Sequence, residues 1–378
     1  MVMEALNNVV AKNIHNGYWY NLADTAKVLF LGLFCGQQTL TDILAWANSP
    51  QAKEVLLAHF KIRKLPSYSH FTNLVALIDA DELNKVFMEI FGELASSVQL
   101  KTIAIDGKTI CSTANMQGRQ TALHIASAYV SELGITIGQL AVEDKKNEIS
   151  AVQELIKLLD VSDAMVVADA LNCQKKTAEL IVEGGGDYLF VVKKNQNSLY
   201  NDICEMIQFK QGDLCERKTS PLDECTQIEK GHGRIEKRTA FATHDVHDLE
   251  NCEKWRSLQC VGMVKTNNET RYYISSRKLS AQELLYYSRN EWAVESMHWM
   301  LDVIFGEDRC LAHDDNVQKT LNILRKTVLN IVKLYKHQTG LKLPTSRIMK
   351  NCSFDTTLLL RILGDMAEWG RVTEMLRN

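Results

Sequence analysis

The strongest constraint on the fold is the order of patterned segments after Val98. "TIAID" (102–106), "TALHIASAYV" (121–130) and "GITIGQLAVE" (134–143) read as strands. The last two are joined by the short, Gly-containing "SELG", as a hairpin requires. Helix and strand then alternate. "NEISAVQELIKLLD" (147–160) is an amphipathic helix, and "AMVVADA" (164–170) is a strand with little alternation, the pattern of burial on both faces. "CQKKTAELIVEGGG" is a helix ended by glycines, "DYLFVVKKN" (187–195) another buried-type strand, and "NSLYNDICEMIQF" a helix. A strand reached through a helical crossover runs parallel to its neighbour. The order β-β-β-α-β-α-β-α therefore predicts an α/β fold with a mixed five-stranded sheet. If strand 164–170 lies beside strand 102–106, Asp106 and Asp169 emerge at the same end of strands ~4.8 Å apart.

The flanking regions have a different texture. Residues 1–98 read as a small all-α domain. "LADTAKVLFLGLFCGQQ", "LTDILAWAN", "QAKEVLLAHF", "LPSYSHFTNLVALID" and "DADELNKVFMEIFGELASS" carry apolar residues at helical spacing, several behind Ser, Thr or Asp starts. Segments 52–60 and 69–78 have the rough layout of a helix-turn-helix for recognising DNA ends, with a longer link than usual. Residues 99–209 form the first part of the α/β core. Residues 210–280 read as a β-rich insertion through "HGRIEKRTAFATH", "LQCVGMVKT" and "TRYYISSR". Residues 281–336 resume as one long helix, "SAQELLYYSRNEWAVESMHWMLDVIFGED", and an amphipathic helix, "NVQKTLNILRKTVLNIVKLYK". A helical tail, 337–378, follows.

Composition narrows the class without naming it. A net charge of −3 does not advertise a nucleic-acid binder, although a local basic strip can coexist with an acidic exterior. Ten cysteines occur with no CxxC pair and no His/Cys zinc spacing, so reduced thiols are expected. The apolar run Val28–Cys35 is far shorter than the ~20 residues that span a bilayer. Residues 1–15 lack the layout of a secretory signal. The expected setting is the bacterial cytoplasm.

The chemistry lies at two strand ends. A buried-type strand ending in an unpaired carboxylate is costly, and a shared cation explains Asp106 and Asp169 together. Each also has a bland account. Asp106-Gly107 is a hairpin-turn signal, and Asp169 suits a helix N-cap. In "EWAVESMHWMLDVIFGED", Glu295 and Asp302 are seven residues apart, two helical turns, and share a face with His298 and Trp299. The neighbouring Trp292, Val294, Met297 and Leu301 make this helix too apolar for a mere exterior. A hard divalent cation takes oxygen ligands. Asp-Asp-Glu therefore suits phosphoryl transfer between two Mg²⁺ ions ~3.5–4 Å apart.

The strand order resembles the ribonuclease-H-like fold. More specifically, "LPSYSHFTNLVALIDADELNKVF", "IAIDGKTI", "HIASAYV", "KKNEI", "VVADALNCQ", "GGDYLFVVKKNQ", "GHGRIEKR" and "VESMHWMLDVIFGEDR" run in the order found in the DDE transposases of bacterial insertion sequences. The resemblance is to the H-repeat-associated, Rhs-linked family and covers roughly residues 20–335. It implies Asp106, Asp169 and Glu295 as catalytic and metal-binding residues, with two Mg²⁺ ions and Mn²⁺ able to substitute. It implies double-stranded DNA as partner, both the element's terminal inverted repeats and the target, and a homodimer in the synaptic complex. The departures are Cys111 where family members usually carry Arg, and "ADALN" at the second motif. Glu291 and Asp302 also stand where better-studied relatives carry Arg and Lys. Two other readings stay open: a catalytically silent DNA-binding descendant, and a two-metal nuclease without strand transfer.

Candidate DNA contacts follow from charge and position. Lys193, Lys194, Asn195 and Gln196 end a strand expected beside the aspartates. His232, Arg234 and Arg238 lie in "GHGRIEKR", Lys108 follows Asp106, and His298 lies one turn after Glu295. His124, inside a strand, reads as structural.

Overall fold

The computed structural model describes residues 2–11, 20–96, 98, 101–110, 122–142, 147–211, 222–231, 234–247, 249–312 and 314–365. Its frame is one mixed sheet of nine strands in the order β3-β2-β1-β4-β5-β9-β8-β7-β6. The strands are β1 (Thr102–Thr109), β2 (His124–Val130), β3 (Ile135–Val142), β4 (Met165–Ala168), β5 (Asp187–Val192), β6 (Asp223–Gly231), β7 (Arg234–Thr243), β8 (Cys260–Lys265) and β9 (Thr270–Ser275). β1 pairs antiparallel with β2 and parallel with β4, and β4 pairs parallel with β5. β4 is buried along its whole length, and β5 along all but its first residue. That explains their unbroken apolar sequence, since both faces carry packed side chains.

The sheet does not stop at five strands. β9 pairs antiparallel with β5, and β8, β7 and β6 continue outward. The segment read as an insertion therefore extends the same sheet. Sequence pattern cannot show this, because the β5–β9 pairing joins residues about 80 positions apart in the chain.

The helices are α1 (Val2–Ala5), α2 (Leu22–Phe34), α3 (Leu40–Ala47), α4 (Pro50–Phe60), α5 (Tyr68–Leu77), α6 (Ala80–Ser96), α7 (Glu148–Leu158), α8 (Lys175–Glu183) and α9 (Asn197–Gln211). After β9 come α10 (Ala281–Asn290), α11 (Ala293–Val303), α12 (Asp315–Thr339), α13 (Thr345–Phe354) and α14 (Thr356–Asp365). Asn21 caps α2 by accepting from the Ala23 N–H at 2.9 Å. From Val28 to Phe34 every residue of α2 is buried. A helix apolar all round belongs inside, and α3, α5 and α12 surround this one. The helices before β1 share one hydrophobic core with the sheet, because α6 packs on both β3 and α12. None of the described helices is long and apolar enough to cross a membrane.

Two local expectations change. The single helix expected over 280–308 is two, α10 and α11, with a break at Glu291-Trp292. There the last turn tightens, with the Trp292 N–H donating to the Arg289 carbonyl at 3.2 Å, an i→i−3 bond. Arg271 of β9 reaches both break residues, 3.5 Å from Glu291 Oε1 and 4.4 Å over the Trp292 ring. No Gly or Pro marks the break, so the tertiary contact sets it. Second, Asp106-Gly107 is not a turn. β1 runs straight through it to Thr109, with Asp106 opposite Ser127 and Gly107 opposite Ala126.

Candidate active site

Parallel pairing of β1 with β4 ends at Ile105 and Ala168. Asp106, still in β1, and Asp169, just past β4, are the residues that follow, so the sheet delivers both to one end of the same pairing. Glu295 arrives from α11, which packs on β1 and β2. Glu291, at the break before α11, is a fourth carboxylate in this neighbourhood.

Each of these carboxylates feels the charge of its neighbours. The Asp106 carboxyl is pushed up to about 7, first by burial, then by the negative charge of Asp169, with smaller pushes from Glu148 and Glu295. Glu291 is pushed up to about 8 by burial, aided by Asp169 and Glu295 and opposed by Arg271 and Lys193. Negative charges thus converge with too little positive charge to balance them. Carboxylate oxygens are the donor set that a hard divalent cation takes. The residues fit such an ion in charge and chemistry. They are not gathered into a finished cage, since no three His, Cys, Asp or Glu side chains among the described residues are placed to hold an ion together.

His298 stands beside Asp106, Nδ1 to Oδ2 3.5 Å. Burial lowers it to about 3, helped by the charges of Lys326 and Lys108, so the ring is neutral at neutral pH. It offers Asp106 no charge compensation.

Asp169 is braced from behind. The backbone N–H and side-chain Nδ2 of Asn172 both donate to Asp169 Oδ1, each at 3.1 Å. Asn172 Nδ2 also donates to Glu148 Oε1 at 3.1 Å. The other oxygen of Glu148 lies 2.8 Å from His124 Nε2, and His124 Nδ1 lies 2.9 Å from Thr109 Oγ1. His124, Glu148 and Asn172 are all buried. This assembly also explains Gly107. A Cβ there would fall 2.3 Å from His124 Nε2 and 2.6 Å from Glu148 Cδ, so only glycine lets them pack on β1. The sequence reading missed Glu148 and Asn172 and took His124 as structural only. The signals available were a Glu in the first turn of α7 and an Asn three residues past Asp169, a spacing at which side chains close local turns.

The other candidates are distributed around this centre. Lys193 and Lys194 are exposed at the end of β5. Asn195 Nδ2 donates to the Ala170 carbonyl at 2.7 Å and Gln196 Nε2 to the Cys173 carbonyl at 3.1 Å, so both amides hold the loop after Asp169. Lys108 turns inward. Its ammonium pairs with Asp302 and lies 2.8 Å from Glu307, with only 13% of its side chain exposed. Arg238 pairs with Glu236 at 2.9 Å and shares a cleft with Arg271 and Trp292. Arg234 begins β7. His232 and the side chain of Arg234 lie outside the described residues.

The sheet thus brings Asp106 and Asp169 to one end of β1 and β4, with Glu295 on α11 beside them. In comparison with known proteins, residues 99–331 match the transposase DDE domain. The chain belongs to this DDE transposase family. Several relatives carry the transposase name, and two of them cover most of this chain. YncI of Escherichia coli O157:H7 is 30% identical over 363 residues, covering 90% of this chain and 91% of its own. The H repeat-associated YhhI of Escherichia coli strain K12 is 31% identical over 317 residues, covering 79% and 81%. Among solved structures, a piggyBac transposase synaptic complex with hairpin DNA aligns over 97% of this chain and 78% of its own, at 12% identity and a TM-score of 0.49.

Proposed function

We propose that the protein cleaves DNA strands at the ends of an insertion sequence and joins the freed 3′-hydroxyls to target DNA, on a ribonuclease-H-like core. The observation that carries this reading is the convergence of Asp169, Glu148 and Glu295 on Asp106, which leaves negative charge uncompensated at the end of β1 and β4. Asp106, Asp169 and Glu295 would hold Mg²⁺, two ions in the full site, with Mn²⁺ substituting. Bound there, the ions would activate the attacking oxygen and stabilise the leaving one.

The chain's own residues supply position. Asn172, held by Glu148, fixes the carboxylate of Asp169 with two N–H donors. Neutral His298 packs against Asp106 without adding charge. Lys193 and Lys194, exposed at the end of β5, meet DNA phosphates, and Arg234 and Arg238 extend that contact along β7. In cleavage, a water oxygen bonds to phosphorus and the bond to the 3′ oxygen breaks. The water gives up one proton, and the departing oxygen takes one. In joining, that 3′-hydroxyl attacks a target phosphodiester and the target's own 3′ oxygen leaves. Synapsis of two ends calls for a homodimer on double-stranded DNA, and the work is done in the bacterial cytoplasm, at the nucleoid.

The test is nicking of a duplex carrying an element end, in Mg²⁺ or Mn²⁺. Wild type is expected to nick, and Asp106→Asn and Asp169→Asn are not. Equal activity in all three sinks the reading. Nicking without joining of a pre-cleaved end to a plasmid reduces it to a nuclease.

A further inference from the structure

A groove opens not at the carboxylates but beyond them along α11. The solvent face of α11 carries Glu295, then Trp299 one turn on and Val303 a turn further. One turn of helix is ~6 Å of rise for four residues, so Trp299 is the next large side chain past the proposed catalytic Glu295. Trp299 and Val303 form one wall of a groove of about 660 Å³, which α12 closes with Lys333 and Lys336 and α13 with Lys350 and Phe354. Trp299 is 61% exposed and Phe354 80%.

The charge is one-sided. No Asp or Glu lines the groove among the described residues. Lys333, Lys336 and Lys350 make no ion pair among the described residues, whereas Lys108, which pairs with Asp302 of α11, makes three. Lys336 and Lys333 sit close enough to repel each other. Unpaired lysines beside an exposed indole and phenyl form a surface that lacks an anion and a flat partner.

We propose that this groove binds unpaired nucleotides of the DNA strand that passes the carboxylates, with a base stacked on Trp299 and its phosphates on Lys336 and Lys350. The identity of the ligand rests on the strand-cleavage reading above. A nucleic acid fits better than an apolar peptide because every charged residue lining the groove is a lysine. A single strand fits better than a duplex because stacking on a side chain needs a base freed from its own stack. A volume of about 660 Å³ lies within the ~300–1,000 Å³ of small-ligand pockets. The groove therefore has room for only one or two residues of a strand.

The experiment is a titration of the full-length protein with oligothymidylate, with no divalent metal, read by intrinsic fluorescence and by anisotropy of a labelled strand. Trp299→Leu is expected to weaken binding by about tenfold, in line with the ~1–3 kcal/mol of one base–aromatic stack. Lys336→Gln with Lys350→Gln is expected to weaken it similarly. That double variant should also flatten the salt dependence by about 1.4 in log–log slope, since each phosphate contact on a single strand adds ~0.7. Trp299 and Lys350 are exposed and Lys336 is partly so, and unchanged circular dichroism confirms folding. Binding within twofold of wild type in both variants overturns the inference. So does a change in oligomeric mass with Trp299→Leu that leaves DNA binding intact, since the groove is then a protein–protein face. Because no cleavage is measured, a protein that binds but never nicks sinks the proposed function and leaves this site standing.

Discussion

Two carboxylate clusters lie on either side of His298, and they answer burial in opposite ways. Both draw on β1 and α11. In the first, Asp106 feels the charges of Asp169, Glu148 and Glu295, and burial with those charges raises its carboxyl to about 7. In the second, Glu307 is fully buried yet held below its ordinary value. Burial alone would raise it, but Lys108 and Arg325 more than offset that. Lys108 Nζ lies 2.8 Å from one oxygen of Glu307, and Asn322 donates to the other at 2.7 Å. Arg325 is 3.8 Å away, and Lys326 is held between Ser127 and Gln139. Asp106 and Lys108 are two apart on β1 and so lie on one face. The sheet therefore presents an unbalanced site and a balanced one side by side. A buried carboxylate is thus no sign of function by itself. What separates the two clusters is whether the fold supplies the cation.

That contrast gives the largest expected effect. Glu307→Gln leaves Lys108 and Arg325 facing no buried charge. Breaking one side of a buried pair costs about 3–5 kcal/mol, read as a lower urea midpoint. Asp106→Asn should do the reverse. It removes a repelled charge, so the urea midpoint at pH 8 rises while strand cleavage falls more than about a hundredfold. The outer partners of a metal ligand alone account for about 10–100-fold. A midpoint that falls in Asp106→Asn would mean the first cluster is balanced after all. Glu148→Gln comes next. It loosens Asn172 behind Asp169, and cleavage should drop about 10–100-fold with a folded protein. Cleavage unchanged by Glu148→Gln would make the brace a packing feature only.

Much of the first cluster is legible in the sequence, and almost none of the second. Asp106 and Asp169 each follow an apolar strand-like run, and the crossover through α7 gives parallel strands, which the structure places side by side. Local pattern and a chirality rule suffice for the parallel sense. The β5–β9 pairing, the break at Glu291-Trp292 and the role of Gly107 are different. Each is set by a contact distant in sequence: Arg271 against Trp292, and His124 and Glu148 over Gly107. Asp-Gly is so common in turns that its local reading was the wrong one here. Lys108 likewise offered a free charge in sequence, and only the placement of Asp302 and Glu307 shows it to be engaged.

The smallest expected effect uses both clusters at once, through pH. A carboxyl raised in the folded state keeps a proton that the unfolded chain has already released. Stability then falls with rising pH between the two values. For Asp106 that window runs from 3.8 to about 7, and for Glu291 from 4.5 to about 8. Glu307 has the opposite sign. Its lowered carboxyl contributes stability that is present above 4.5 and lost as pH falls through its folded value. The urea midpoint of wild type should therefore decline from pH 5.5 to 8, then level once Asp106 and Glu291 are ionised in both states. Asp106→Asn should make that decline shallower, and Mg²⁺ should raise the midpoint more at pH 8 than at pH 5.5, because an ion binds the ionised form. A midpoint that rises steadily across this range, unaffected by Asp106→Asn, would show that the first cluster carries its charge as comfortably as the second.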